Sequence, residues 1–171
     1  DAVTTKTEYD GAGNVLAEID PLGRRTEYTY DMAGRKTSVT YAAGTADHVS
    51  ESMEYDRNGN LVAQVDAAGH RTGYEYDELD RRTHTRTAVG TPVEAYEEIQ
   101  YDEGNNITWK RDTGGRWTCY EYDPKTNLVS RIVSAYGTAD QRVVEYVYDK
   151  YGNRVWEIEG DRRTRFAYDD L

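Results

Sequence analysis

The sequence predicts an all-β fold, a tandem array of antiparallel hairpins running the length of the chain as a coiled ribbon. Three observations predict it. A Tyr-Asp dipeptide recurs eight times, a glycine-centred turn signal follows it, and the stretches between alternate apolar with polar residues. Internal repeats and a period of two are the sequence signatures of stacked strands.

The dipeptides are Tyr9-Asp10, Tyr30-Asp31, Tyr55-Asp56, Tyr76-Asp77, Tyr101-Asp102, Tyr122-Asp123, Tyr148-Asp149 and Tyr168-Asp169. Their tyrosines are spaced by 21, 25, 21, 25, 21, 26 and 20 residues, so short and long repeats alternate. Summed in pairs, the spacings from Tyr9 through Tyr55 and Tyr101 to Tyr148 are 46, 46 and 47. The structural unit is therefore expected to be a pair of repeats containing four strands.

Four and five residues after the tyrosine come Gly13-Asn14, Gly34-Arg35, Gly59-Asn60 and Gly152-Asn153. Glycine there supplies the positive φ of a tight turn. The fourth copy has Asp80 in its place, the fifth reads Gly104-Asn105-Asn106, and the sixth reads Pro124-Lys125-Thr126-Asn127. Each aspartate of the dipeptide is expected to start the turn and to bond nearby backbone N–H groups. That reading is preferred to a carboxylate array for calcium or acid catalysis, because the spacing keeps successive aspartates on different strands. A second turn closes each repeat. It is short at Asp20-Pro21-Leu22-Gly23 and Asp66-Ala67-Ala68-Gly69, and long around Gly44-Thr45, Gly90-Thr91 and Gly137-Thr138.

Between turns, Val15, Ala17 and Ile19, and likewise Thr26, Tyr28 and Tyr30, would line one face of a strand. The same pattern at Tyr74 and Tyr76, Tyr120 and Tyr122, Tyr146 and Tyr148, and Phe166 and Tyr168 predicts rows of aromatics across neighbouring strands,. In a meander, the Tyr-Asp turns should occupy one edge while short and long second turns alternate along the other. About 16 strands would make a ribbon roughly 75 Å wide, which must coil or pack on more of the same chain.

Composition supports sheet over helix: 16 Tyr and 3 Trp stand against 1 Phe and 2 Met in 171 residues,. A net charge of −11 argues against nucleic acid, whose binding rests on neutralising phosphates,. No apolar run reaches the roughly 20 residues of a membrane span, and no signal peptide is evident. The chain starts at Asp1 rather than Met and the repeats run almost to both ends. Residues 1–171 are thus expected to be a single repeat segment of a longer chain. The single Cys119 has no partner for a disulfide, and His48, His70 and His84 share no spacing that suggests a zinc site or a triad,. No cofactor or metal is expected.

The pattern YDxxGNxxxxxxDxxGxRTxYxYD, clear from Tyr9 to Asp31 and from Tyr55 to Asp77, resembles the Rhs/YD-repeat proteins over essentially the whole chain. Gly23-Arg24-Arg25-Thr26 and Gly69-His70-Arg71-Thr72 fall in register with it. The resemblance implies a β ribbon that spirals into a hollow shell. Bacterial polymorphic toxins and toxin-complex subunits use such shells to enclose a toxic C-terminal domain, and teneurin-like surface proteins use them for adhesion. It implies as partners an encapsulated toxin domain of the same chain and neighbouring YD repeats, and a secreted or cell-surface location in a bacterium. The family's self-cleavage sequence Asp-Pro-x-Gly-Leu has a superficial echo in Asp20-Pro21-Leu22-Gly23, but Arg24 replaces the final Leu and the position is that of an ordinary repeat turn.

The expected role is a non-catalytic wall segment whose tyrosine rows hold the spiral together. A different class of function, an extracellular module binding glycan or a surface receptor, would use exposed aromatics, with Trp109, Trp117 and Trp156 as the candidate platform, or the three long loops. Hydrolysis of polysaccharide would need two carboxylates roughly 5 to 9.5 Å apart across a cleft, and no pair is singled out. Uncovered terminal strands invite self-association of the isolated chain.

Overall fold

In a computed structural model, described here for residues 4–169, the chain divides into two units, residues 1–94 and 95–171. The first contains β1 (Lys6–Tyr9), β2 (Val15–Ile19), β3 (Arg25–Tyr30), β4 (Lys36–Tyr41), β5 (Val49–Tyr55), β6 (Leu61–Val65), β7 (Arg71–Tyr76) and β8 (Arg82–Thr87). The second contains β9 (Ala95–Tyr101), β10 (Ile107–Arg111), β11 (Trp117–Tyr122), β12 (Val129–Ser134), β13 (Arg142–Tyr148), β14 (Arg154–Glu159) and β15 (Arg162–Arg165). Within each unit every strand pairs antiparallel with the next in the chain. The described residues contain fifteen strands and no helix, against the sixteen expected. The eighth dipeptide, Tyr168-Asp169, closes the described residues and so contributes one strand instead of two.

Because each strand turns straight back on its predecessor, successive turns fall on opposite edges of the sheet. Within each unit the Tyr-Asp turns share one edge, and the short second turns share the other with the long loops, 42–48 and 88–94 in the first unit and 135–141 in the second. Four strand types recur with the super-period: β1, β5, β9 and β13 are of the first type, and β4, β8 and β12 of the fourth.

Each unit is a single layer, so its core is thin. In the first, Ala17 and Ala63 are buried on one face and Val39 on the other, since Ala17 lies opposite Glu27 and Val39 opposite Tyr28, adjacent residues of β3,. In the second unit the column corresponding to Ala17 is apolar. Trp109, Cys119, Val133 and Val143 are successive cross-strand partners there, and Val133 is 2% exposed. The matching column of the first unit runs Ala17, Glu27, Thr40 and Ser50, in which the Thr40 and Ser50 hydroxyls are 2.9 Å apart. One repeat framework thus carries a largely polar column in one unit and an apolar one in the other.

The expected rows of neighbouring tyrosines take a different form. The residues opposite the Tyr-Asp tyrosines within their hairpins are Val15, Lys36, Leu61, Arg82, Ile107, Val129 and Arg154. Tyrosines of this class sit on every second strand, so an aliphatic or basic residue separates them. Basic side chains instead cover ring faces, as Lys36 does over Tyr28 at 4.2 Å and Arg35 over Tyr55 at 4.7 Å,.

At every Tyr-Asp hairpin the register also slips by one residue beside the tyrosine. The extra residue is Leu16, Thr37, Val62, Thr83, Thr108, Ser130 or Val155. None of the other hairpins slips. A β-bulge bends its strand and increases local twist, so within each unit the bending is confined to one edge.

Candidate functional site

The recurring assembly on the Tyr-Asp edge is the most distinctive chemistry of the chain, and it is built from the turn upward. Nine five-residue turns among the described residues share one hydrogen-bond pattern, beginning at Asp10, Asp20, Asp31, Asp56, Asp66, Asp77, Asp102, Asp112 and Asp149. The aspartate N–H donates to the carbonyl four residues on at 2.9 to 3.0 Å, and the N–H three residues on donates back to the aspartate carbonyl at 2.9 to 3.3 Å. The carboxylate Oδ1 accepts the N–H four residues on at 2.8 to 3.0 Å. Its Oδ2 takes the side chain of that same residue, an Asn, Arg or His.

This geometry places the short second turns in the same class as the Tyr-Asp turns, and Asp20-Pro21-Leu22-Gly23 is one of them. The sequence contained the signal in Asp-x-x-Gly followed by Asn, Arg or His. It includes Asp112-Thr113-Gly114-Gly115-Arg116, which lies 46 residues after the turn at Asp66.

The fourth turn position needs positive φ, +90° at Gly13, +76° at Gly34, +100° at Gly59 and +86° at Gly152. Asp80 and Asn105 hold it at 58° and 67°, and Asn127 reaches 58° in the one-residue-longer turn at Asp123. A Cβ built on Gly59 would approach only Arg35 Nη1, at 3.6 Å, so space is available and the obstacle is backbone conformation. Gly59→Val is expected to destabilise by about 1–2 kcal/mol and Gly59→Asn by clearly less, measured by chemical unfolding. Equal costs for the two would contradict this.

Hydrogen bonding to the charged form lowers the pKa of the turn carboxyls. For Asp10 the largest cause is the Asn14 amide, and for Asp20, Asp31, Asp66 and Asp112 it is the backbone N–H at the end of the turn. At Asp123 the Thr126 N–H leads. At Asp56, Asp77 and Asp149 desolvation pushes upward most strongly, but the bonds from Asn60, Arg81 and Asn153 together outweigh it. These aspartates have their oxygens committed to their own turns. No group of three or more His, Cys, Asp or Glu among the described residues could hold a metal ion.

The tyrosine before the aspartate does a second job that the sequence reading missed. Tyr30, Tyr55, Tyr76, Tyr122, Tyr148 and Tyr168 donate their hydroxyls to the carbonyls of Val15, Lys36, Leu61, Ile107, Val129 and Arg154, at 2.7 to 3.0 Å. Each acceptor is the first residue of the strand that leaves the preceding Tyr-Asp turn. The hydroxyl therefore ties each hairpin to the one before it, beside the bulge where regular pairing stops. Burial raises the pKa of Tyr76, Tyr122 and Tyr148, in keeping with hydroxyls that stay protonated as donors. Tyr28, whose hydroxyl donates instead to the Glu18 carboxylate, is pushed up to about 12.

The turns also touch along the edge. Arg35 donates to the Asp56 carbonyl at 3.0 Å, and Asn58 and Asn60 both donate to Asp80 Oδ1. Asn106 and Asn127 exchange a reciprocal pair of amide bonds at 2.9 and 3.0 Å. Tyr76→Phe removes one tie and leaves the Leu61 carbonyl without its donor. It is expected to destabilise by ~1 kcal/mol with the fold unchanged, read as a shifted urea midpoint at constant slope. An unchanged midpoint would remove the tie from the account.

The structure brings Trp109 and Trp117 together, with ring centroids 6.1 Å apart at 84°, and sets Tyr136 of the third long loop edge-on to Trp109 at 4.8 Å. Trp156 lies on β14, beneath the Arg165 guanidinium. The rings that meet stand nearly perpendicular and offer no common stacking plane. Cys119 is half-buried, and burial raises its pKa above the ordinary thiol value, so it is not held as a thiolate. His48, His70 and His84 make separate local contacts, to the Thr45 carbonyl, to Asp66, and to Thr83 and Glu75. Among the described residues no helix is long and apolar enough to cross a membrane.

Comparison with known proteins places this geometry. Residues 9–46 and 55–92 match the family model described as the RHS repeat. Each match starts at a Tyr-Asp tyrosine and ends in a long loop, and the same turns and tyrosine tie recur from Tyr101 to Thr138. No curated protein matches the sequence. Among solved structures, the chain superposes on a TcdB2–TccC3–Cdc42 crystal structure with a TM-score of 0.71 at 17% identity, over 97% of this chain and 10% of that one. A TcdB2–TccC3 crystal structure gives 0.73 at 17% identity, over 92% and 9%. A Tc holotoxin pore of Photorhabdus luminescens with a mutated TccC3 gives 0.59 at 15%, over 94% and 11%. The chain thus spans about a tenth of the length of these neighbours and shares their fold.

Proposed function

We propose that this chain, two segments of which match the RHS-repeat model, is a non-catalytic wall segment of a larger β shell that encloses a polypeptide, a toxic domain of the same longer chain, for delivery outside a bacterial cell. The observation that carries this reading is the recurrence of the bulge and the tyrosine tie on one edge only. A ribbon bent repeatedly at the same edge curves in one sense, as a wall around a space requires. One of the structural neighbours, a Tc holotoxin pore, points the same way, and this chain spans about a tenth of the chain it matches there.

The turn aspartates are spent on holding turns, and on this reading the wall performs no reaction. Its work is mechanical. It must be stiff along the edge and indifferent to the sequence of what it encloses, which suits shallow faces on which polar and apolar columns lie side by side.

Limited proteolysis of the full-length protein tests this. The enclosed domain is expected to resist digestion while the shell is native and to be degraded rapidly once mild acid opens it. Digestion of that domain at the same rate in the native protein as in isolation would refute enclosure.

A further inference from the structure

We propose that Asn58 is a site of spontaneous covalent modification, in which its side chain cyclises onto the Gly59 nitrogen and is converted to an acid, and that this loosens the contact between two neighbouring Tyr-Asp turns. Asn58 stands third and Gly59 fourth in the turn that begins at Asp56, and both are exposed. Ring closure needs the Gly59 nitrogen to reach the Asn58 side-chain carbonyl carbon. Glycine has no side chain to obstruct that approach and the widest backbone freedom. A Cβ built there would come within 4 Å of nothing but Arg35 Nη1, so the surroundings leave room. The Gly59 N–H is also the least firmly held of its kind, since its bond to the Asp56 carbonyl is 3.3 Å, the longest among the nine turns.

The rest of the chain explains why the reaction selects this residue. Asn14, Asn60, Asn106 and Asn153 close their turns, and each gives its amide to the turn aspartate. They are followed by Val15, Leu61, Ile107 and Arg154, whose side chains crowd the attacking nitrogen. Asn105 and Asn127 precede Asn106 and Leu128, so Asn58 is the one asparagine followed by glycine. Asp10 precedes Gly11, yet its carboxylate holds the N–H groups of Ala12 and Asn14 and the Asn14 amide, and an ionised carboxylate has no leaving group to lose.

In the reaction the Gly59 nitrogen gives its proton to solvent hydroxide and bonds to Asn58 Cγ. The Cγ–Nδ2 bond breaks and ammonia leaves with a proton from water, which yields a succinimide. Water then opens the ring. Cleavage between the Gly59 nitrogen and Cγ gives aspartate, and cleavage on the main-chain side gives isoaspartate, in which the backbone runs through Cβ. Either way an amide becomes a carboxylate, and nothing is oxidised or reduced. Asn58 Nδ2 donates to Asp80 Oδ1 at 2.9 Å and so joins its turn to the one begun at Asp77. After conversion two like charges face each other there and only the Asn60 amide still reaches Asp80,. Isoaspartate also adds a backbone carbon to a turn whose size is set by its two backbone hydrogen bonds. The inference depends on this turn alone and stands whether or not the array encloses anything.

The test incubates the folded 171-residue chain in warm, mildly alkaline buffer and follows every asparagine by digestion and mass spectrometry, with an isoaspartyl methyltransferase to count isoaspartate. Conversion at Asn58 is expected, with isoaspartate the larger product and the other six asparagines intact. Asn58→Gln, whose longer side chain would have to close a larger ring, should lose the signal. Asn58→Asp should lower the urea midpoint, and the deficit should shrink as salt screens the two charges. Asp80→Asn in that background keeps an acceptor oxygen, tolerates the left-handed turn position and removes the like charge, so it should raise the midpoint again. An Asn58 that stays intact in the folded chain, conversion spread evenly over the asparagines, or an Asn58→Asp midpoint that equals the wild type's or that Asp80→Asn does not raise would each overturn the proposal.

Discussion

Val133→Asp is expected to unfold the second unit, or to cost it ~3–5 kcal/mol, the penalty for a buried charge that has no partner. Val133 is 2% exposed on β12, between Cys119 of β11 and Val143 of β13, and the next residue of that column is Trp109. Within its column a carboxylate there meets sulfur and hydrocarbon, and Arg131 on the same face is already paired with Glu121. The repeat provides an internal control, since Thr40 holds the corresponding place in the first unit and its hydroxyl pairs with that of Ser50. Thr40→Asp stays next to polar groups and is expected to cost far less. Thermal unfolding of both variants checks the contrast, and similar losses would show that the apolar column contributes nothing particular to the second unit.

Acid should unfold the chain steeply. The carboxyls of Asp10, Asp20, Asp31, Asp56, Asp66, Asp77, Asp112, Asp123 and Asp149 all titrate lower in the folded chain than ordinary aspartate. Glu8 joins them, drawn down to about 2 by Arg25 and Lys6. For a group whose folded pKa is depressed, the unfolded chain binds the proton first as pH falls. The stabilisation is complete above the unfolded value near 4 and is lost as pH drops through the folded one. Many such groups titrate together, so Tm should be flat from neutral pH to about 5 and then fall over a narrow range with uptake of several protons. Asp31→Asn keeps an oxygen for the turn N–H groups but loses the titrating charge and the pairing with Arg35. It should lower stability at neutral pH and flatten the acid limb. A Tm that holds to pH 2 would mean that the turn carboxylates do not hold the edge.

The fold was legible because the repeat states it redundantly. Val15–Ile19 could be read from alternation alone and is β2, and the alternation of short and long second turns follows from the spacing of the tyrosines. The bulges were not legible, since the extra residues range from Leu16 to Thr37 to Ser130 and share no chemistry. They are set by where pairing stops beside the tyrosine. The tyrosine tie was hidden for a related reason. Tyr28 and Tyr30 look alike in the sequence, yet one hydroxyl meets the Glu18 carboxylate and the other the Val15 carbonyl. Only the three-dimensional register separates them. The closing role of Arg35, His70 or Asn153 escaped because three residue types with different chemistry serve one carboxylate oxygen.

The most direct measurement is a cryo-electron microscopy structure of the full-length protein. A hollow β shell, with these repeats curving along its wall by their bulged edge and with chain density inside, is the result expected. A solid or open β structure, with these faces turned to solvent and no enclosed chain, would contradict the proposed role.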